Sequence, residues 1–541
     1  GHALHTCPTR GLAAAVISFH VRFIVCMSSL TCAPWHSLNS WQRMIGQTSC
    51  RFCADTPKTR VASVKRVLCH VCARSCIGLD AILRRDLIDM CASDAHKPQD
   101  DTFPYVIRDL TVDDLDQYNA LLRYAFQVTE QELMTDGWSN DSIKQSKFPV
   151  IKRADILGCY DGDSLISQFA VYPLKMNIYQ SIYQVGFITS VSTYPEYTGQ
   201  GIMGRLMRQS LMRMREKNQT LAILFPYSIP LYRHRGWEII SNKISYKVRD
   251  NQVPRRMRAP GYVRRVPDDN LDFMNLHSTF AQQTHGCLFR NALAWDEYWR
   301  WDEDDTMVAV YYNVEDKPMG YMVYLIKDDI MHIKEMIYLN REAQKGLWEY
   351  IHAHDSMIDE VRGNTYFNEP IAFDMDDSDI VETIQPYIMG RIVDVEQFLE
   401  QYPCAPDAHL RIALDIEDPF IEENTATYVV EFCEGKTVVH EVYRGADTAA
   451  LTCDADNAVA AQREGEGAVV EAACCERDPM RTHMNSFARL HMSIGTLTCL
   501  LMGYKTAAQL FERERIQGDA AGVEALDAAL LHECPYISDY I

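Results

Sequence analysis

Hydrophobic positions organise the chain from about Phe103 onward and leave the stretch before it unpatterned. Between Arg10 and Leu83 no apolar period of 3.6 or 2 persists, so neither helix nor strand is announced there. Residues 185–194 are β-branched and aromatic and predict a strand closed by Pro195. Apolar side chains then recur at helical spacing, at Met203, Leu206, Met207, Leu211 and Met214, with arginines on the other faces; this predicts an amphipathic helix. Residues 220–225 form one apolar run ended by Pro226, as expected of a strand buried on both faces. Residues 227–240 read as a short helix, a stop at Gly236 and another strand. Farther on, 307–312 and 320–326 predict strands, and 493–504 predicts an apolar helix that suits a core better than a lipid pocket.

Between the first of these strands and its helix stands Glu196-Tyr-Thr198-Gly199-Gln-Gly201-Ile202-Met203-Gly204. Glycines let a backbone approach a pyrophosphate, and the free N–H groups of a first helical turn point at it with the helix dipole behind them. Alone, a Gly-x-Gly turn is weak evidence. The buried run at 220–225 and the helix–glycine–strand succession after it make it specific.

Composition divides the chain. Residues 1–89 hold 11 Lys and Arg, 4 Asp and no Glu, a net +7 within a chain of −21, which leaves −28 for the rest. Nine of the 18 cysteines lie at or before Cys91. Cys50-x-x-Cys53 and Cys69-x-x-Cys72 have the spacing of a four-thiolate zinc ribbon, yet strand signals are missing between the pairs and five nearby cysteines are left over. The competing reading is an unstructured or spurious leader ahead of a start at Met90, and it is preferred; no metal is assigned. The boundaries are then 1–102 for the leader, 103–250, 251–403 and 404–541, with breaks at 250–254 and at the two prolines of 402–406. The Ala- and Glu-rich stretch 449–478 reads as an exposed excursion. An acidic chain repels phosphate backbones, which argues against nucleic acid and for cationic partners. No 18-residue apolar run is present, and the free thiols fit a cytoplasmic location without a membrane span.

The succession from 185 to 240 resembles the acetyl-CoA-binding half of GNAT N-acetyltransferases. With Leu231-Tyr232-Arg-His-Arg-Gly-Trp, Ile333-Lys-Glu-Met-Ile337, Gly346-Leu-Trp348, His354-Asp-Ser-Met357, the 386–395 stretch and the final Ser538-Asp-Tyr-Ile541, the chain from about Phe103 is similar to the enhanced intracellular survival (Eis) family. The resemblance implies an α/β (α+β) fold: a catalytic GNAT domain, a degenerate GNAT domain and a sterol-carrier-like domain. It also implies acetyl-CoA as co-substrate, an aminoglycoside, polyamine or lysine side chain as acceptor, and a homo-oligomer, a hexamer. Carried over by residue, Val191 and Thr193 lie on the strand holding the thioester. Thr198, Gly199, Gly201, Ile202, Met203 and Gly204 form the pyrophosphate turn. Thr198 departs from the Arg or Gln usual there, so Arg205 and backbone N–H groups have more to supply. Tyr232 becomes the general acid and the carboxylate of Ile541 the base. In the second unit the corresponding turn is expected at 344–348, with one glycine, too little for a pyrophosphate. The alternative is a GNAT scaffold that binds coenzyme A or lipid without turnover.

Overall fold

The computed structural model describes residues 103–444 and 487–540, except 136, 255, 256, 301, 303, 304, 376 and 378. The leader with its two Cys-x-x-Cys pairs, the 449–478 excursion and Ile541 lie outside the described residues. Residues 120–137 group apart from the others and are described by themselves. There Glu130–Thr135 is helical, started by Thr129: its hydroxyl accepts from the Glu132 N–H (3.2 Å) and its own N–H donates to the Glu132 carboxylate (2.9 Å).

The strands follow the hydrophobic pattern. Along the chain they are β1 (Val106–Asp109), β2 (Asp155–Asp161), β3 (Ser164–Ile178), β4 (Ser181–Thr193), β5 (Leu221–Leu224), β6 (Glu238–Ile239) and β7 (Asn242–Arg249). Next come β8 (Tyr262–Val266), β9 (Leu288–Phe289), β10 (Met307–Tyr312), β11 (Pro318–Lys327), β12 (Ile330–Tyr338), β13 (Glu360–Thr365), β14 (Val381–Pro386) and β15 (Met389–Ile392). The last are β16 (His409–Glu417), β17 (Ala426–Cys433), β18 (Lys436–Tyr443), β19 (Arg489–Ser493) and β20 (Ile516–Gly518). They make three sheets, in the orders β1-β2-β3-β4-β5-β15-β6 with β9 beside β3, β14-β7-β13-β12-β11-β10-β8, and β18-β17-β16-β19-β20.

In the first sheet the predicted helix is α1 (Ile202–Glu216), the crossover between β4 and β5, which pair in parallel. It buries Ile202, Leu206, Met207, Leu211 and Met214 against Leu157, Val171, Ile188 and Leu224. Each such side chain contributes about 1.5–3 kcal/mol by leaving water. Met203, expected on that stripe, is only half-buried at its edge. All four residues of β5 are buried, as the unbroken apolar run predicts.

The first two sheets exchange strands. β7 lies between β13 and β14 in the second sheet, while β15, from 389–392, enters the first sheet between β5 and β6. The sequence division at 250 is therefore not a division between the first two sheets, whereas all strands of the third sheet lie after 403. β15 also ties the first sheet to the third: Arg391, fully buried, donates to the fully buried Asp418 at 2.6 Å and to the Arg235 carbonyl. Removing one partner of such a pair costs about 3–5 kcal/mol.

Candidate active site

The site begins where two strands part. β4 and β5 pair only from Val185↔Leu221 to Ile188↔Leu224, after which β5 ends and β4 continues to Thr193 beside β3 alone. The edge of β4 that faced β5 then has no strand partner among the described residues. The same stretch carries a bulge: Ser190 and Val191 together stand opposite Phe169, because Thr189 pairs with Ala170 and Ser192 with Gln168. Ser190 has a φ of +55°, and its hydroxyl is 2.9 Å from that of Tyr118. Thr193 is held by its hydroxyl, 2.7 Å from Ser167.

Beyond β4, Thr198 turns its hydroxyl inward onto the Pro195 carbonyl (2.7 Å), closing the short turn Pro195–Tyr197. Gly199 and Gly201 take φ values of +76° and +74°, a region that L side chains avoid. A Cβ on Gly199 or Gly204 would meet nothing within 4 Å, so the loop faces open space. Gly201 is the N-cap of α1 and brings no side chain to its N–H groups. Those donors stay available to an anion. Arg205 lies over the Phe103 ring at 4.3 Å, and Tyr105 braces the loop by donating to Gln200 (2.8 Å). This uncapped, open turn beside a parted strand pair fits the pyrophosphate and pantetheine arm of acetyl-CoA.

Tyr232 sits on the short helix α2 (Ile229–Arg233), whose position is fixed by ions. Arg233 forks onto Glu238 at 2.6 and 3.0 Å, and Arg515 reaches the same carboxylate at 2.7 Å. Burial pushes that carboxyl up, but the two guanidinium groups outweigh it and hold it below the ordinary range. The Tyr232 ring is buried edge-on to Trp237, 6.0 Å between centroids. Its hydroxyl makes no hydrogen bond among the described residues. Burial raises its pKa to about 12, with Arg235 opposing, so it stays a proton donor through the neutral range.

Of the residues singled out from sequence, Val191, Ile202, Met203 and Tyr232 meet in one apolar cluster, with the glycine turn at its rim. The tail arrives from elsewhere. Tyr536, Ile537 and Asp539 are buried, and Tyr540 packs edge-on against Phe225, the residue after β5, at 5.3 Å. Ser190, Phe225 and Tyr540 were not singled out individually; the quoted Ser538-Asp-Tyr-Ile541 ending was the available signal for the last.

The second sheet repeats the arrangement and closes its turn. β12 and β13 pair in parallel across the helix α3 (Arg341–His352). The expected turn at 344–348 is in fact the middle of α3. Gly346 serves packing, since a Cβ there would lie 2.2 Å from the Tyr311 ring. The N-terminus of α3 is capped by Asn340, whose side chain accepts from the Ala343 N–H at 2.9 Å, so a donor left free in α1 is taken here. Among the described residues no group of three or more His, Cys, Asp or Glu is placed to hold a metal ion, and no helix is long and apolar enough to cross a membrane.

Comparison with known proteins agrees with this geometry. Residues 106–240 and 286–392 each match an acetyltransferase (GNAT) domain, and 395–462 and 459–538 match a sterol carrier protein domain. No curated protein matches the chain. Solved structures similar to it include a conserved protein of unknown function from Enterococcus faecalis V583 (24% identity, TM-score 0.67, 81% of this chain and 99% of that one). Others are a GCN5-related N-acetyltransferase from Anabaena variabilis (19%, 0.65, 81% and 100%) and Eis1 from Mycobacterium abscessus (15%, 0.60, 81% and 100%). At these identities the likeness is one of fold. Two GNAT domains and a sterol carrier protein domain make this chain an acyl-CoA-dependent acetyltransferase with acetyl-CoA as its co-substrate.

Proposed function

We propose that the chain, as a member of the Eis family and a homo-oligomer, moves the acetyl group of acetyl-CoA to a primary amine of a cationic acceptor: an aminoglycoside, a polyamine or a lysine side chain. The observation that carries this is the uncapped N-terminus of α1 beside the parted β4 and β5, with the unpartnered Tyr232 hydroxyl in the same cluster. Thr198, Gly199, Gly201, Ile202, Met203 and Gly204 supply backbone to the pyrophosphate, and Val191 and Thr193 hold the thioester along the free edge of β4. As the amine attacks the thioester carbon, the Val191 N–H stabilises the oxyanion. The C–S bond then breaks, and Tyr232 gives its proton to the leaving thiolate. The carboxylate of Ile541 takes the proton lost by the amine, through water. Its support is the tail, buried up to Asp539 and resting at the end of β5 through Tyr540. The acidic charge of the chain favours a cationic acceptor.

Acetyl-CoA-dependent thiol release across a panel of amines tests this. Turnover with one or more polyamines is expected, with Tyr232→Phe lowering kcat by about 10²–10⁴-fold and residues added after Ile541 abolishing turnover. Silence across the panel, or Tyr232→Phe equal to the native protein, would sink the assignment and favour a coenzyme A or lipid-binding scaffold.

A further inference from the structure

The second pair of parted strands has an occupant. β12 and β13 pair from Ile330↔Glu360 to Ile333↔Gly363, and β12 then continues to Tyr338. In the first sheet the equivalent opening is the one fitted to the pantetheine arm. Here the chain's own last segment lies against it. Tyr536 is buried among Phe280, Tyr366 and Phe367, with centroids at 4.9, 5.8 and 4.7 Å, and its N–H donates to the His285 carbonyl at 2.8 Å. Two residues on, the Ser538 hydroxyl donates to Glu335 at 2.9 Å, and Glu335 stands on β12 just past the last paired residue.

Next to it a single cation serves two carboxylates. Arg290 gives its Nε to Asp539 at 2.6 Å and its two terminal nitrogens to Glu335 at 2.7 and 3.0 Å. The side chains of all three are at most 4% exposed. Tyr321 adds a hydrogen bond to Glu335 at 2.7 Å. An ion cluster sealed this far from water is costly unless its geometry is good, and this one spans three separate segments of chain. The next residue after the clasped Asp539 is Tyr540, seated on Phe225 at the end of β5.

We infer that the parted strands of the second GNAT domain are a binding site for the chain's own tail, and that Arg290 and Glu335 are positioning residues that clasp Asp539 so that Tyr540, the next residue, is held at the end of β5 beside the active site of the first domain. The inference rests on the proposal that the tail takes part in the reaction. It gives the degenerate domain a role of its own. The surface that in its neighbour receives a co-substrate arm receives a peptide instead, and Asn340 closes the anion turn that is no longer needed.

The charge balance dictates the test. Removing Arg290 strands two buried carboxylates and risks unfolding. Asp539→Ala removes the acceptor together with its charge and leaves Arg290 and Glu335 as a neutral pair, so the fold is kept while the clasp on the tail is lost. In the full-length protein, hydrogen exchange at the amides of 536–540 is expected to quicken with β12 still protected. At the same time kcat falls by about 10²-fold, as expected of a displaced catalytic segment, while the KM for acetyl-CoA stays within about twofold, because the turn before α1 is untouched. A residue that merely stabilised the fold would loosen β12 and move that KM as well. Tail amides as protected as in the native protein would overturn the clasp and leave the proposed mechanism standing. A released tail with native kcat would overturn the positioning role and, with it, the tail's part in the reaction.

Discussion

Gly201 holds a φ of +74° where α1 begins, with the donors of the first turn left open. An alanine there costs about 1–2 kcal/mol in backbone strain, which falls on the residue that leads into the open donors of α1. Gly201→Ala is therefore expected to raise the KM for acetyl-CoA about tenfold, with kcat at saturation little changed, measured by initial rates of thiol release. An unchanged KM would mean that the turn holds no phosphate. Tyr232 and the glycines were legible because their signal is local, a spacing of a few residues between strand and helix. Arg290, Glu335 and Asp539 were not legible as a group. Ile333-Lys-Glu-Met-Ile337 and the terminal Ser538-Asp-Tyr-Ile541 stood out in the sequence, but no pattern along the chain says that residues 290, 335 and 539 share one sealed cluster. The bulge at Ser190 is hidden for a similar reason, since it exists only relative to Phe169 on another strand.

At the level of elements, α1 and α3 are the same device in two states, each a crossover between parallel strands, one uncapped and the other capped by Asn340. Asn340→Ala should cost about 1 kcal/mol of stability in urea unfolding, the ordinary worth of an N-cap, and leave the KM for acetyl-CoA where it was. A shifted KM would show that the second turn does hold co-substrate. The apolar stripe of α1 and the buried run of β5 followed the periodicity closely, because burial on one face or two is written directly into residue order. The misplaced turn at 344–348 has a physical cause. A glycine that admits a neighbouring aromatic ring, as Gly346 admits Tyr311, looks in sequence like a glycine that bends a loop.

Across the whole molecule, His285 marks where several parts join. Its Nδ1 accepts from the Tyr179 N–H at 3.2 Å, its Nε2 lies 3.1 Å from the Met502 carbonyl, and its ring stacks on Tyr179 at 3.8 Å. Burial lowers its pKa to about 4, so it stays neutral in the fold, whereas the unfolded chain binds a proton near pH 6.5. His277, also buried, is lowered to about 3. Because the unfolded state binds more protons in that window, the stability these groups contribute is whole above about pH 6.5 and drains away toward pH 4, by about 3 kcal/mol for His285. Denaturant unfolding at pH 7 and at pH 4.5 reads this loss, and His285→Gln should flatten the slope; a native-like slope in that variant would contradict the assignment. The strand exchange has a consequence of another kind, for the order in which a newly made chain acquires its shape. β5 gains its second neighbour only when β15 is available, so through the synthesis of everything between Leu224 and Met389 a wholly apolar strand has one edge unsealed. A fragment of residues 103–250 is accordingly expected to aggregate or remain molten, judged by solubility and near-ultraviolet circular dichroism; a soluble, well-packed fragment would refute this. The first sheet cannot mature ahead of the second, and a ribosome must pass residue 392 before β5 is locked from both sides.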